Sequence, residues 1–172
     1  MCGRYNLNDS PLVQTLMTDL GIDIEPLPAR YNIAPTEQVL AIYRNGDAIA
    51  NCDTGNALAV DALLVLRAID QIRDVQRQGG RTYQKPFRRQ RAVLPASSFI
   101  ESQKHANGKQ AYEIKPADGL LLFTAVWDCW YDCENNNAAL HSCSIVTTEA
   151  VPGFRDIHAR QPVILKTTEV DA

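Results

Sequence analysis

In SPLVQTLMTDLG the apolar residues Leu12, Leu16 and Leu20 recur at helical spacing between two punctuation points. Asp9 or Ser10 can cap the start, Pro11 suits the first turn and Gly21 supplies the stop, so a helix is predicted. IEPLP then reads as an extended connection. EQVLAIYR is a strand candidate, and Asn45-Gly46 is a tight-turn signal toward a short return strand, DAIAN, making a first hairpin. From Asn56 to Gln78 the pattern changes. Val60, Leu63, Leu64, Ile69, Ile72 and Val75 fall near a 3.6-residue period ahead of Gly79-Gly80, which predicts a second helix. RAVLPASSFIES has the character of a buried strand interrupted at Pro95, and KQAYEIKPADGLLLFTAVWDCW that of two strands joined by a Pro116 to Gly119 turn. Asn135-Asn136-Asn137 marks a loop tip, with HSCSIVTTEA and QPVILK as later strands. Many short strands and few helices predict an α+β fold: a compact single domain with a mostly antiparallel, barrel-like sheet and a few flanking helices.

Composition changes this picture little. The 172 residues, 45% apolar and 22% charged, suit one globular domain with a full core. No apolar run is long enough to cross a bilayer, and the first residues lack the layout of a secretory signal, so no membrane partner and a cytoplasmic location are expected. The odd count of five cysteines argues for reduced thiols rather than a disulfide framework. A net charge of −3 gives no average attraction to a polyanion, but the charge is unevenly placed. Arg77, Arg81, Lys85, Arg88, Arg89 and Arg91 form a basic stretch without acidic residues, interleaved with Tyr83 and Phe87. That composition fits a surface that tracks phosphates and stacks bases, and equally a solvated basic face.

The chemistry begins at MCGRY. Removal of Met1 would leave Cys2 with an α-amine and a thiol on adjacent carbons, titrating ordinarily near ~8 and ~8.5. The amine can attack an aldehyde to give an imine, and the thiolate can close on that imine to form a five-membered thiazolidine. The alternative is an incidental cysteine at a frayed terminus. Cys129, Cys133, His141 and Cys143 have the residue types of a zinc quartet, but C-x3-C followed by H-x-C matches no common zinc module. No metal and no cofactor are therefore expected.

MCGRY, RYNIAPTEQV, VLPASSFIE, YEIKPADG with LFTAVWD, SIVTTEA and IHARQPVIL stand in an order and spacing that resembles the SOS-response-associated peptidase (SRAP) family. These pieces run from Met1 to about Leu165. The resemblance implies a DNA damage-response protein that shields abasic sites in single-stranded DNA through a thiazolidine on Cys2, with associated autopeptidase and lyase-type chemistry. It implies that Glu101 of SSFIE and His158 of DIHAR transfer protons, and that Arg4 and Asn32 line the cleft, Arg4 on a phosphate. A carboxylate and an imidazole suit the separate acid and base tasks of dehydrating a carbinolamine and closing or reopening the ring. The implied partner is abasic single-stranded DNA bound by a monomer in a bacterial or viral host cytosol, at the nucleoid when acting.

The chain departs from the family pattern in its middle. No Trp-Gly pair and no Asn-Ala-Arg motif can be matched in the divergent segment 51–90, where Arg81 is the candidate replacement for the phosphate-binding arginine. Ser102 stands where the family has Trp, Ala159 where it has Asp, and Gln161 where it has Met or Arg. The expected organisation is one SRAP-like domain over 1–172 with a shortened C-terminus. Two other readings stay open: a non-catalytic descendant that binds single-stranded nucleic acid or a partner, and an N-terminal-cysteine amidohydrolase, since glutamine amidotransferase domains also begin Met-Cys-Gly.

Overall fold

The computed structural model describes residues 3–22, 24–35, 37–43, 63–73, 86–132 and 138–170. Cys2, Arg81, Cys133, the Asn45-Gly46 turn with DAIAN, Gly79-Gly80 and the Asn135 to Asn137 tip lie outside them. In chain order the elements are β1 (Arg4–Leu7), α1 (Ser10–Asp19), β2 (Arg30–Ile33), β3 (Gln38–Tyr43), β4 (Leu63–Arg73) and a helical turn, α2 (86–89). They continue with β5 (Arg91–Ala96), β6 (Ser98–His105), β7 (Gly108–Ile114), β8 (Leu121–Asp132), β9 (Ala138–Glu149), α3 (Pro152–Arg155), β10 (Arg160–Pro162) and β11 (Ile164–Leu165).

The strands form two sheets. One is four-stranded in the order β2-β1-β6-β7, the other seven-stranded in the order β10-β9-β4-β3-β5-β8-β11. β8 also pairs with β9; the mostly antiparallel α+β class is as expected, while the sheets are not closed into a barrel. β4 with β9 is parallel and the other pairings are antiparallel.

Helix α1 forms where its signals stand. The Asp9 carboxylate accepts the Leu12 N–H at 3.2 Å, and the left-handed Gly21, at φ 72°, follows the helix end. Its buried stripe is Val13, Leu16 and Met17, while Leu12 faces outward, so the predicted apolar face is rotated by one position.

The helix predicted between Asn56 and Gln78 is corrected by the fold. Its described part is the strand β4, paired with β3 on one side and β9 on the other. LLVLRAIDQIR opens on a short apolar run that periodicity alone cannot tell from part of a buried helix, and pairing with β3 and β9 decides for the strand.

Two junctions are also relocated. β5 runs through Pro95 and ends at Ala96, and the chain passes from the larger sheet to the smaller at Ser97. The Ser97 N–H donates to the Asn6 carbonyl at 2.8 Å, and its hydroxyl accepts the Asn8 and Asp9 N–H groups at 3.0 and 3.1 Å. The segments around the Pro116 to Gly119 turn do not form a hairpin: β7 pairs with β6, and β8 with β5, β9 and β11.

Phe123 on β8 joins the layers. Fully buried, it meets Tyr5 of β1 and Phe99 of β6 edge-on, with centroids 6.0 and 5.9 Å away. Phe123→Ala should therefore lower unfolding stability by about 3–5 kcal/mol, measured by urea titration. A loss under about 1 kcal/mol would show that the two sheets do not depend on this contact.

Candidate functional site

The smaller sheet begins with an irregularity. β1 and β2 pair Tyr5 with Ile33 and Leu7 with Arg30, so Tyr31 and Asn32 together oppose the single residue Asn6. This is a β-bulge, and Asn32 takes its left-handed position at φ 56°, which asparagine tolerates better than most residues. Both ends of Asn32 are held. Its N–H donates to Asn6 Oδ1 at 2.7 Å, and its carbonyl accepts from Arg4 Nη1 at 3.2 Å.

Behind the bulge a polar network spans the sheet. Asn6 Nδ2 donates to Ser98 Oγ at 2.8 Å and to Glu113 Oε1 at 3.0 Å, while the Ser98 hydroxyl donates to the same Glu113 oxygen at 2.7 Å. Lys115 Nζ lies 3.3 Å from Glu113 Oε2. Asn32, Asn6, Ser98 and Glu113 thus link β2, β1, β6 and β7 in their spatial order. The buried members, Asn6 and Ser98, are satisfied by one another and by the carboxylate.

The hydrogen bond from Ser98 holds the Glu113 carboxyl below its ordinary value, against an opposing desolvation effect and with help from Lys115 and Asn6. A carboxyl lowered in the folded state adds stability above its unfolded value, and that stability is lost as pH falls through the folded one. Wild type should therefore melt above Glu113→Gln at pH 7, and the gap should close on acidification below about 4. A gap that stays constant to pH 3 would remove the ionised network as its source.

Glu101 follows Ile100, which pairs with Arg4, so the pleat places Glu101 on the opposite face from Arg4, the face that carries Tyr5 and Phe99. It is 6% exposed, pairs across the strands with Tyr112, and its Oε1 accepts the Ser102 N–H at 3.1 Å. Gln103, two residues along β6, accepts from the Tyr112 hydroxyl at 3.1 Å and donates to the Asp156 carbonyl at 2.7 Å. Phe99 packs on Phe154 of α3 with centroids 5.8 Å apart. The strand of Glu101 is thereby tied to the turn that carries His158.

His158 is half-buried, with Nδ1 3.0 Å from both the N–H and the carbonyl oxygen of Arg160. A neutral ring accepts from the N–H and keeps its proton on Nε2; a charged ring donates to the carbonyl. Either protonation state finds a partner on the backbone of Arg160. The Arg160 side chain is turned away to Thr147, its Nη2 donating to the carbonyl at 2.7 Å. Where the family pattern has Asp, Ala159 contributes its carbonyl to the Ala150 N–H at 3.0 Å. Gln161 Oε1 accepts the Val151 N–H at 3.0 Å.

The structure thus brings Arg4 and Asn32 into contact and fastens the elements of Glu101 and His158 together. Of the basic stretch, Phe87, Arg88, Arg89 and Arg91 are described and exposed. Cys129 lies opposite His141, and Cys143 opposite Trp127 on the same face. Burial pushes the Cys143 thiol up to about 12, making it a neutral core group. Asn6, Ser98, Gln103 and Glu113 were not singled out by the sequence. A lone Asn or Gln in a strand pattern carries no periodic signal, and its partners lie on other strands.

The two-sheet arrangement defines a known class of mostly antiparallel α+β domain. A solved protein from Bacteroides thetaiotaomicron superposes with a TM-score of 0.76 at 14% identity, covering 99% of this chain and 79% of that one. A phage-related protein from Bordetella bronchiseptica gives 0.66 at 23% identity, covering 97% and 78%. The family model described as SOS response associated peptidase (SRAP) matches residues 1–172, and the chain belongs to that family. Relatives include the abasic site processing protein YoqW of Bacillus subtilis, 27% identical over 176 residues that span 96% of this chain and 76% of the relative. The abasic site processing protein YedK of Escherichia coli is 26% identical over 171 residues, spanning 96% and 75%.

Proposed function

We propose that this protein processes abasic sites in single-stranded DNA by joining Cys2 covalently to the opened sugar. The observation that carries this reading is the pairing of Arg4 with Ile100, directly before the buried Glu101. Arg4 stands two residues after Cys2 in the sequence, and its strand is hydrogen-bonded to the strand that carries Glu101. Family membership and the names of the relatives support the substrate class.

The chemistry divides among the residues. The Cys2 amine adds to the sugar aldehyde, and the carbinolamine loses water to give an imine when its hydroxyl is protonated. The thiolate then forms the C–S bond at the imine carbon while the nitrogen takes up a proton. Glu101 and His158 are the acid and base of these steps. Arg4 holds a phosphate, with Arg81 as a second phosphate contact, and Asn32 borders the sugar. From the same imine the two proton-transfer groups give lyase-type strand cleavage, and before any imine can form they assist water in hydrolysing the peptide bond ahead of Cys2, which frees the amine. The exposed Phe87, Arg88, Arg89 and Arg91 have the composition of a surface that binds single-stranded DNA. One domain over residues 1–172 carries all of this.

Purified protein incubated with uracil-excised single-stranded DNA should give a heat-stable shifted band, and its intact mass should lack methionine. No band from methionine-free protein would overturn the reading.

A further inference from the structure

Tyr31 is 67% exposed, more than any other large apolar side chain among the described residues. It belongs to the bulge, one residue before the left-handed Asn32. An ordinary register would give β2 one residue opposite Asn6; the extra residue re-aims the side chains beside it, a common use of bulges near functional sites. The bulge is also held from three directions, by Asn6 on the Asn32 N–H, by Arg4 on its carbonyl, and by Ser98 and Glu113 behind Asn6. Most residues avoid that backbone conformation, so the network maintains a shape the strand would not adopt unaided. The result is a tyrosine side chain displayed to solvent on β2, the strand paired with the one that bears Arg4.

We infer that Tyr31 is a stacking platform for an unpaired nucleobase flanking the abasic nucleotide, with the bulge and the Asn6 network as its mounting. This rests on the DNA-processing reading above. An exposed aromatic side chain, next in sequence to the Asn32 whose carbonyl the Arg4 guanidinium holds, offers a base a stacking surface, and stacking tolerates any base because each has a π-face. An abasic residue offers no base of its own to hold, so grip on the strand near the lesion must come from a neighbour.

The test uses the full chain and two fluorescent oligonucleotides, one of thymidines and one carrying a central abasic site. Tyr31→Ala should weaken binding to the thymidine strand by about five- to hundredfold without changing the slope of affinity against salt. Tyr31→Phe should bind as wild type, and a Tyr31→Trp variant should show quenching of the new indole on adding the strand. Asn6→Ala should reproduce the Tyr31→Ala loss, whereas Arg4→Ala should reduce the salt slope. Because Tyr31 is exposed, Tyr31→Ala should keep the wild-type melting temperature. If wild type crosslinks the abasic strand while Tyr31→Ala binds as tightly as wild type, the platform is overturned and the functional reading survives. If Tyr31→Ala loses affinity but wild type never crosslinks, the platform stands and the covalent reading falls.

Discussion

Replacing Cys2 by alanine is expected to abolish the heat-stable adduct with abasic single-stranded DNA while leaving a weaker, reducible one. The variant keeps its α-amine once methionine is removed, so it can still add to the sugar aldehyde and lose water to an imine. It has no thiol to close the ring. The imine returns to aldehyde and amine by hydrolysis, so heat releases it, whereas borohydride reduces the C=N bond to a stable secondary amine. The expected pattern on a denaturing gel is a shifted band for wild type with or without borohydride, and for Cys2→Ala only with it. A heat-stable band from Cys2→Ala without reductant would place the nucleophile elsewhere. Loss of the reduced band as well would mean that the amine is not the first nucleophile.

The second large effect concerns the buried carboxylate. Glu101→Gln preserves the volume of the side chain and an oxygen able to accept the Ser102 N–H, but it cannot transfer a proton. Positioned acid–base groups contribute about 10²- to 10⁴-fold, and crosslinking in single-turnover assays should slow by a factor in that range. Affinity for intact single-stranded DNA should stay at the wild-type value, because Glu101 faces away from Arg4 and toward the side of Tyr5 and Phe99. That split separates a proton-transfer role from a binding role. An unchanged crosslinking rate would remove Glu101 from the chemistry, and a matching loss of affinity would recast it as part of the DNA-binding surface.

The legible parts of the fold were those with local causes. Helix α1 follows from Asp9, Pro11 and Gly21, each acting within a turn of its own position. β3, β6 and β9 follow from apolar and β-branched runs bounded by turn residues. The segment around β4 misled because a short apolar run fits helix and strand alike, and the pairing with β3 and β9 that decides between them is not local. Pro95 misled in the opposite way: a proline reads as a break, yet β5 carries it through its pairing with Leu122.

For the candidate site, the signal in the sequence was a set of short motifs in order. Cys2 in MCGRY is legible from its own chemistry, whereas Glu101 of SSFIE and His158 of DIHAR are legible only through the resemblance to the SRAP family. Their support is a different matter. Gln103 fastens the turn of His158 by reaching Asp156, and Asn6 holds a bulge on β2 while leaning on Ser98 and Glu113. The sequence by itself determined the local elements, because those depend on residues within a few positions, and it supplied the candidate reactive groups through the aminothiol chemistry of Cys2 and the family resemblance. Only the tertiary structure decided that Tyr31 is turned outward, that Arg4 and Glu101 occupy opposite faces, and that β4 is a strand. Each of these depends on hydrogen bonds between segments far apart in the chain.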